Sequence, residues 1–117
     1  MKIGIVGSRR RNKGSDFAAL VSIFKEIYKE GDTIVSGGCP TGGDRFAQEL
    51  AEKVGYTITI HYPNKKRDGI PACFFIRNTK IAEDCDVLIA IVSKDRTGGT
   101  EDTVKKVLAM GKKVIYV

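Results

Sequence analysis

The chain has 117 residues, the usual size of one folded unit, so one hydrophobic core is expected over residues 1–117. Hydrophobic residues make up 42%, which argues against disorder, and no apolar run reaches the roughly 18 residues a membrane helix needs. Twenty Lys and Arg against fourteen Asp and Glu give a net charge of +6, an excess suited to anionic partners such as nucleotides, nucleic acid or phosphorylated metabolites.

"KIGIVG" at the start is a short apolar run ending in glycine, the pattern of a buried strand. It leaves no room for a charged segment followed by a hydrophobic signal, so a cytoplasmic protein is expected. Asp16 is placed to cap a helix whose apolar positions, Phe17, Leu20, Val21, Phe24, Ile27 and Tyr28, follow helical spacing up to Gly31. "DTIVSGG" is a second strand. The next helix sets Phe46, Ala47, Leu50, Ala51 and Val54 on one face and ends at Gly55.

"YTITIHY" is a third strand, rich in β-branched residues, and "PNKKRDGIP" a polar loop. A helix is predicted from about Ala72 to Asp84. "DVLIAIV" is the most apolar run and reads as a central strand buried on both faces. "SKDRTGG" is a loop, "TEDTVKKVLAMG" a helix and "KKVIYV" a last strand. Strand and helix alternate throughout, which predicts an α/β fold of three layers: about five parallel strands with four helices on the two faces. Ligands of such sheets bind at the carboxyl ends of the strands. The segments expected there are "GSRRRNKG", "SGGCPTGGD", "YPNKKRDG" and "SKDRTGGTED", rich in glycine, hydroxyls or basic side chains.

Several chemistries are set aside. Cys39, Cys73 and Cys85 form no C-x-x-C pair, and His61 is the one histidine, so neither a disulfide framework, a metal site nor a histidine triad is indicated. No cofactor is implied. Basic residues gather at Arg9–Arg11 with Lys13, at Lys65–Arg67, and at Lys105, Lys106, Lys112 and Lys113, without interleaved aromatics in the first cluster or a nucleic-acid motif. Nucleic acid is therefore a weak expectation.

"SGGCPTGGD" has the glycine spacing of a phosphate-gripping ATPase loop at Gly37 and Gly42, but Gly43 and Asp44 stand where lysine and a hydroxyl belong. Its glycines either allow a tight turn with close helix–strand approach or leave amides free for a ligand. Gly98, Gly99 and Thr100 stand where the last helix begins, and Thr100 can cap it: either an ordinary cap or an anion site. Arg77 and Asn78 lie within a helix, on a solvated face or at a site. Ser8 and Arg9 follow Gly7 directly and are placed to meet a phosphate, whereas Arg11 and Lys13 read as basic surface.

Together, "GIVGSR", "VSGGCPTGGDRFAQELA", "GIPACFFIRNTKIAEDCDVLIAI" and "TGGTEDTVKKVLAMGKKV", in that order, resemble the SLOG superfamily over nearly the whole chain. That superfamily takes in the DNA-processing protein DprA, the Lonely Guy phosphoribohydrolases and small nucleotide-ligand domains. The resemblance implies a Rossmann-like domain binding a nucleotide or nucleotide-derived molecule. The lining it implies comprises Gly7, Ser8, Arg9, Gly37, Gly38, Asp44, Arg77, Asn78, Gly98, Gly99 and Thr100, with Asp44 on ribose hydroxyls or fixing its loop. A homodimer or larger assembly is expected to complete so short a pocket. The Lonely Guy motif ends in a glutamate that acts on the N-glycosidic bond; aligned here, Thr103 takes its place and the motif's proline is absent. A hydrolase would have to use Arg77 with Glu101 or Asp102, so ligand binding without cleavage is the leading expectation. Single-stranded DNA binding is a third.

Overall fold

The computed structural model describes residues 1–117. Five strands, β1 (Lys2–Gly7), β2 (Thr33–Ser36), β3 (Ile58–Ile60), β4 (Val87–Ile91) and β5 (Lys113–Tyr116), form one sheet in the order β3-β2-β1-β4-β5. All four pairings are parallel. Between the strands run α1 (Gly14–Ile27), α2 (Gly43–Val54), α3 (Lys65–Asp68), α4 (Ala72–Asp84) and α5 (Gly99–Ala109).

Two-residue alternation along the central strands divides the core. Ile3 and Ile5 of β1, Ile34 of β2 and Val87, Ile89 and Ile91 of β4 face α1 and α2, where Leu20, Phe24, Phe46, Ala47 and Leu50 cover them. Val6, Val35, Leu88 and Ala90 point the other way, onto Ile81 and Ala82 of α4 and Val104 and Val107 of α5. Every residue of β4 is buried, as its unbroken apolar run requires. The expected three-layer fold with helices on both faces is the fold observed. Phe24, Tyr28 and Tyr56 seal one end of the first layer with ring centroids 4.5–5.2 Å apart.

Four local details differ from the sequence expectation. α1 begins at Gly14, with Lys13 at its cap, so Asp16 sits inside the first turn, where its carboxylate accepts the Lys13 amide at 3.2 Å and pairs with Arg11 at 2.9 Å. α1 stops at Ile27, before Gly31, where the chain turns extended at Tyr28. β3 keeps only three residues, Ile58–Ile60 in register with Ile34–Ser36 of β2, with Thr57 and His61 bonding β2 at its two ends. The loop "PNKKRDGIP" holds the short α3, started by Asn64 accepting the Arg67 amide at 2.9 Å, so there are five helices where four were expected.

No helix is long and apolar enough to cross a membrane. At β1 the connections diverge: β2 and β3 continue to one side, β4 and β5 to the other. This divergence opens a crevice at the carboxyl ends of β1 and β4, where open parallel sheets take ligands.

Candidate functional site

A cleft of about 420 Å³ occupies that crevice. The volume lies within the range of about 300–1,000 Å³ usual for small-molecule pockets. Its floor is the end of β1, Val6, Gly7 and Ser8, together with Asp44 at the start of α2 and Cys39 from the loop before it. One wall is α4, through Phe74, Phe75, Arg77, Asn78 and Ile81, with Pro71 just ahead. Beside it the start of α5 adds Gly98, Gly99, Thr100 and Thr103. Arg9, Arg10 and Thr97 form the rim.

The floor depends on a close backbone approach. A Cβ on Gly43 would lie 2.6 Å from the Gly7 Cα and 2.5 Å from the Val6 carbonyl carbon, so the first turn of α2 rests directly on β1. Gly37 and Gly38, expected to face a ligand, lie outside the lining. Arg77 Nη1 donates to the Gly37 carbonyl at 2.5 Å and covers it, and the Tyr62 ring lies over Gly38, whose φ of 74° suits glycine. Close packing thus accounts for the SGG turn, the first of the two alternatives its glycines left open.

Asp44 is 7% exposed. Its Oδ2 accepts the Cys39 amide at 3.0 Å and its Oδ1 lies 3.2 Å from Ser36 Oγ, so the carboxyl ties β2, the loop and α2 together. Burial pushes its pKa up, opposed by the Cys39 amide and the nearby Arg77 charge. Arg77 is half-buried, not on a solvated face. Its Nε donates to Asn78 Oδ1 at 2.9 Å, and its Nη2 takes no partner in the chain. Asn78, 5% exposed, donates in turn to Asp102 Oδ2 at 3.1 Å, linking α4 to α5.

The start of α5 is capped by Gly98 without any side-chain hydrogen bond; Thr100 is the second residue of the helix and does not cap it. The Glu101 amide donates to the Gly98 carbonyl at 3.2 Å, which leaves the Gly99 and Thr100 amides with capacity for an anion. The loop ahead of it is clipped to β1's loop by Arg10, which donates to Asp95 at 2.6 Å and to Thr97 Oγ1 at 2.7 Å. Arg10, with the hydroxyls of Ser93 and Thr97, holds the Asp95 carboxyl well below the usual carboxylate range. Ser8 is buried, its hydroxyl oxygen accepting the Arg10 amide at 3.2 Å, and Arg9 is exposed.

The cleft therefore brings together Gly7, Ser8, Arg9, Asp44, Arg77, Asn78, Gly98, Gly99 and Thr100. Glu101 and Asp102 do not line it. Glu101 is held by both arms of Arg96 at 2.9 Å, and Asp102 accepts Lys106 at 2.8 Å as well as Asn78. Thr103, 1% exposed, faces the cleft instead. Sequence reasoning missed Arg10, Cys39, Pro71, Phe74, Phe75, Ile81 and Thr97. Helical spacing from Arg77 and Asn78 would have found Phe74 and Ile81, which stand one turn to either side on the same face. Phe74 and Phe75 also carry Lys65 and Lys106 ammonium groups 6.0 and 5.7 Å from their ring centroids, adding positive charge to an aromatic wall.

Sheet order, parallel strands and a crevice at the point of divergence define a Rossmann-like α/β domain. A solved X-ray structure of TM1055, a structural genomics target, matches it with a TM-score of 0.69 over 97% of this chain and 71% of that one, at 20% identity. At that identity the likeness is one of fold. No family model and no curated protein matches the chain.

Proposed function

We propose that the cleft binds a nucleotide or nucleotide-derived small molecule, for sensing, signalling or sequestration. The observation that carries this reading is that two unlike sets of groups line one pocket. On the α5 side stand a helix start without a side-chain cap and the Thr100 hydroxyl, with Arg9 at the rim, a combination suited to a phosphate. On the α4 side stand Phe74 and Phe75, suited to stacking on a base. Arg77 Nη2, free of intramolecular partners, serves the anionic end or the ribose between them. The resemblance to the SLOG superfamily implies Arg9, Arg77 and Thr100 among the lining and supports the same ligand class.

Cleavage of the N-glycosidic bond has less support. It needs a carboxylate beside the sugar carbon; Glu101 is held by Arg96, Asp102 by Lys106 and Asn78, and neither lines the cleft. A second copy of the chain would complete the pocket: Ile70, Phe75 and Ile76 are 67%, 48% and 39% exposed around its α4 side, an apolar rim a partner would cover.

Mass spectrometry of whatever co-purifies with the protein, followed by calorimetric titration with nucleoside monophosphates, cyclic nucleotides and NAD-derived compounds, tests the reading. Saturable binding to one of these classes is expected. No binding across the whole panel refutes it.

A further inference from the structure

Asp44 poses a donor-counting problem. Ser36 Oγ lies 2.6 Å from the Ile5 carbonyl oxygen and 3.2 Å from Asp44 Oδ1. Two oxygens at 2.6 Å need a proton between them, and a carbonyl has none to give, so the single Ser36 hydroxyl proton goes to Ile5. Nothing then remains on Ser36 to donate to Asp44. An ionised Asp44 would set Oδ1 against the lone pairs of Ser36 Oγ inside a buried site; a protonated one donates to them.

We infer that Asp44 is held as the neutral acid, its proton on Oδ1 donated to Ser36 Oγ, and that this leaves the Arg77 charge uncancelled for an anionic ligand. The arrangement satisfies every atom concerned: Oδ2 accepts the Cys39 amide, Oδ1–H donates to Ser36, and Ser36 donates to Ile5. Arg77 forms no ion pair with Asp44, spending its donors on Gly37 and Asn78. Burial acts in the same direction, since it raises the carboxyl's pKa. The groups facing Asp44 are Arg77 from α4, the Gly37 and Cys39 amides from the loop ahead of α2, and Ser36 of β2, itself bound to the Ile5 carbonyl of β1; Arg9 shares the cleft.

The consequence for affinity rests on the nucleotide reading; the protonation state does not. As pH rises through Asp44's raised pKa the acid ionises, and the anion affinity of the cleft falls.

The Asp44 carboxyl carbon is followed by NMR titration of the full chain, its resonance assigned by its loss in Asp44→Asn. A midpoint above that of an ordinary aspartate is expected; one at or below it overturns the inference. Ser36→Ala gives an independent sign. If Ser36 accepts the Asp44 proton, removing it lowers the midpoint; if Ser36 donates to a carboxylate, removing it raises the midpoint, and the inference fails. Asp44→Asn places an NH₂ where the acid has its proton, so the fall in adenosine 5′-monophosphate affinity that wild type shows as pH rises through the Asp44 midpoint is expected to be absent in this variant, and the same fall in both overturns the inference. Comparing the two proteins cancels the probe's own ionisation. Should neither bind the probe at any pH, the nucleotide reading is in difficulty while the carboxyl titration still decides the state of Asp44.

Discussion

Arg77→Ala perturbs the cleft at the side chain that joins its parts. In the folded protein the guanidinium donates to the Gly37 carbonyl at 2.5 Å and to Asn78 Oδ1 at 2.9 Å. Both bonds have a charged donor, and at about 1.5–3 kcal/mol each they put the stability loss at up to about 3–6 kcal/mol, less what solvent screening of the half-buried side chain removes. Loss of its charge-assisted bond to a ligand adds a separate cost in binding of about 1.5–3 kcal/mol. That range corresponds to roughly tenfold to a little over a hundredfold in Kd. Urea denaturation reads the first quantity, and calorimetric titration of adenosine 5′-monophosphate, below the unfolding transition, reads the second. Arg77→Lys keeps the charge but loses the planar fork, so it should recover only part of the affinity. The Asp44 carboxyl should move too, to a still higher pKa, because the Arg77 charge opposes the effect of burial. A folded Arg77→Ala whose affinity stays within about twofold of wild type would show that the guanidinium serves the Gly37 turn and not a ligand.

Gly43→Ala places a methyl group against β1 and should cost about 1–3 kcal/mol through overpacking, read as a lower urea midpoint at unchanged slope. An unchanged midpoint would mean that α2 does not sit on Gly7 as described. Glu101→Gln should leave nucleotide affinity intact and release no base from nucleoside monophosphates, as in wild type; chromatographic detection of free base that disappears in this variant would reinstate the hydrolase reading. Ile70→Glu should shift the protein toward monomer in sedimentation experiments if a second copy covers the rim, and a wild-type protein monomeric at all concentrations would remove that proposal. The acid Asp44 also sets the sign of stability against pH: its contribution is complete below the ordinary aspartate pKa and lost as pH rises through the raised folded value, and Asp44→Asn should flatten that slope.

Periodicity made the layers legible before any coordinates. "VLIAI" has no polar position to turn outward, so it had to be the central strand, and α2 and α4 follow their apolar spacing to within a residue. Local signals served less well at helix ends. Asp16 carries a capping side chain, yet Lys13 takes the cap, because an aspartate in the first turn reaches back to the Lys13 amide just as well. The last-helix carboxylates show the same limit of local signals. Sequence places Glu101 and Asp102 beside the GGT turn, but neighbouring helical residues point about 100° apart, and only the packed structure assigns Thr103 to the cleft and its neighbours to Arg96 and Lys106.

What the sequence determined by itself was the alternation of strand and helix and the collection of polar loops at one edge of the sheet, since both follow from short-range periodicity and from the parallel topology it forces. Which side of each helix meets the cleft, and which atoms share a proton within it, are set by contacts across long separations in the chain. Gly37 is covered by a side chain 40 residues away, and Ser36 reaches an Ile5 carbonyl 31 residues back. No local pattern records such a contact. Only closure of the sheet brings Ile5, Ser36, Asp44 and Arg77 to one point, and burial there pushes the carboxyl's pKa up.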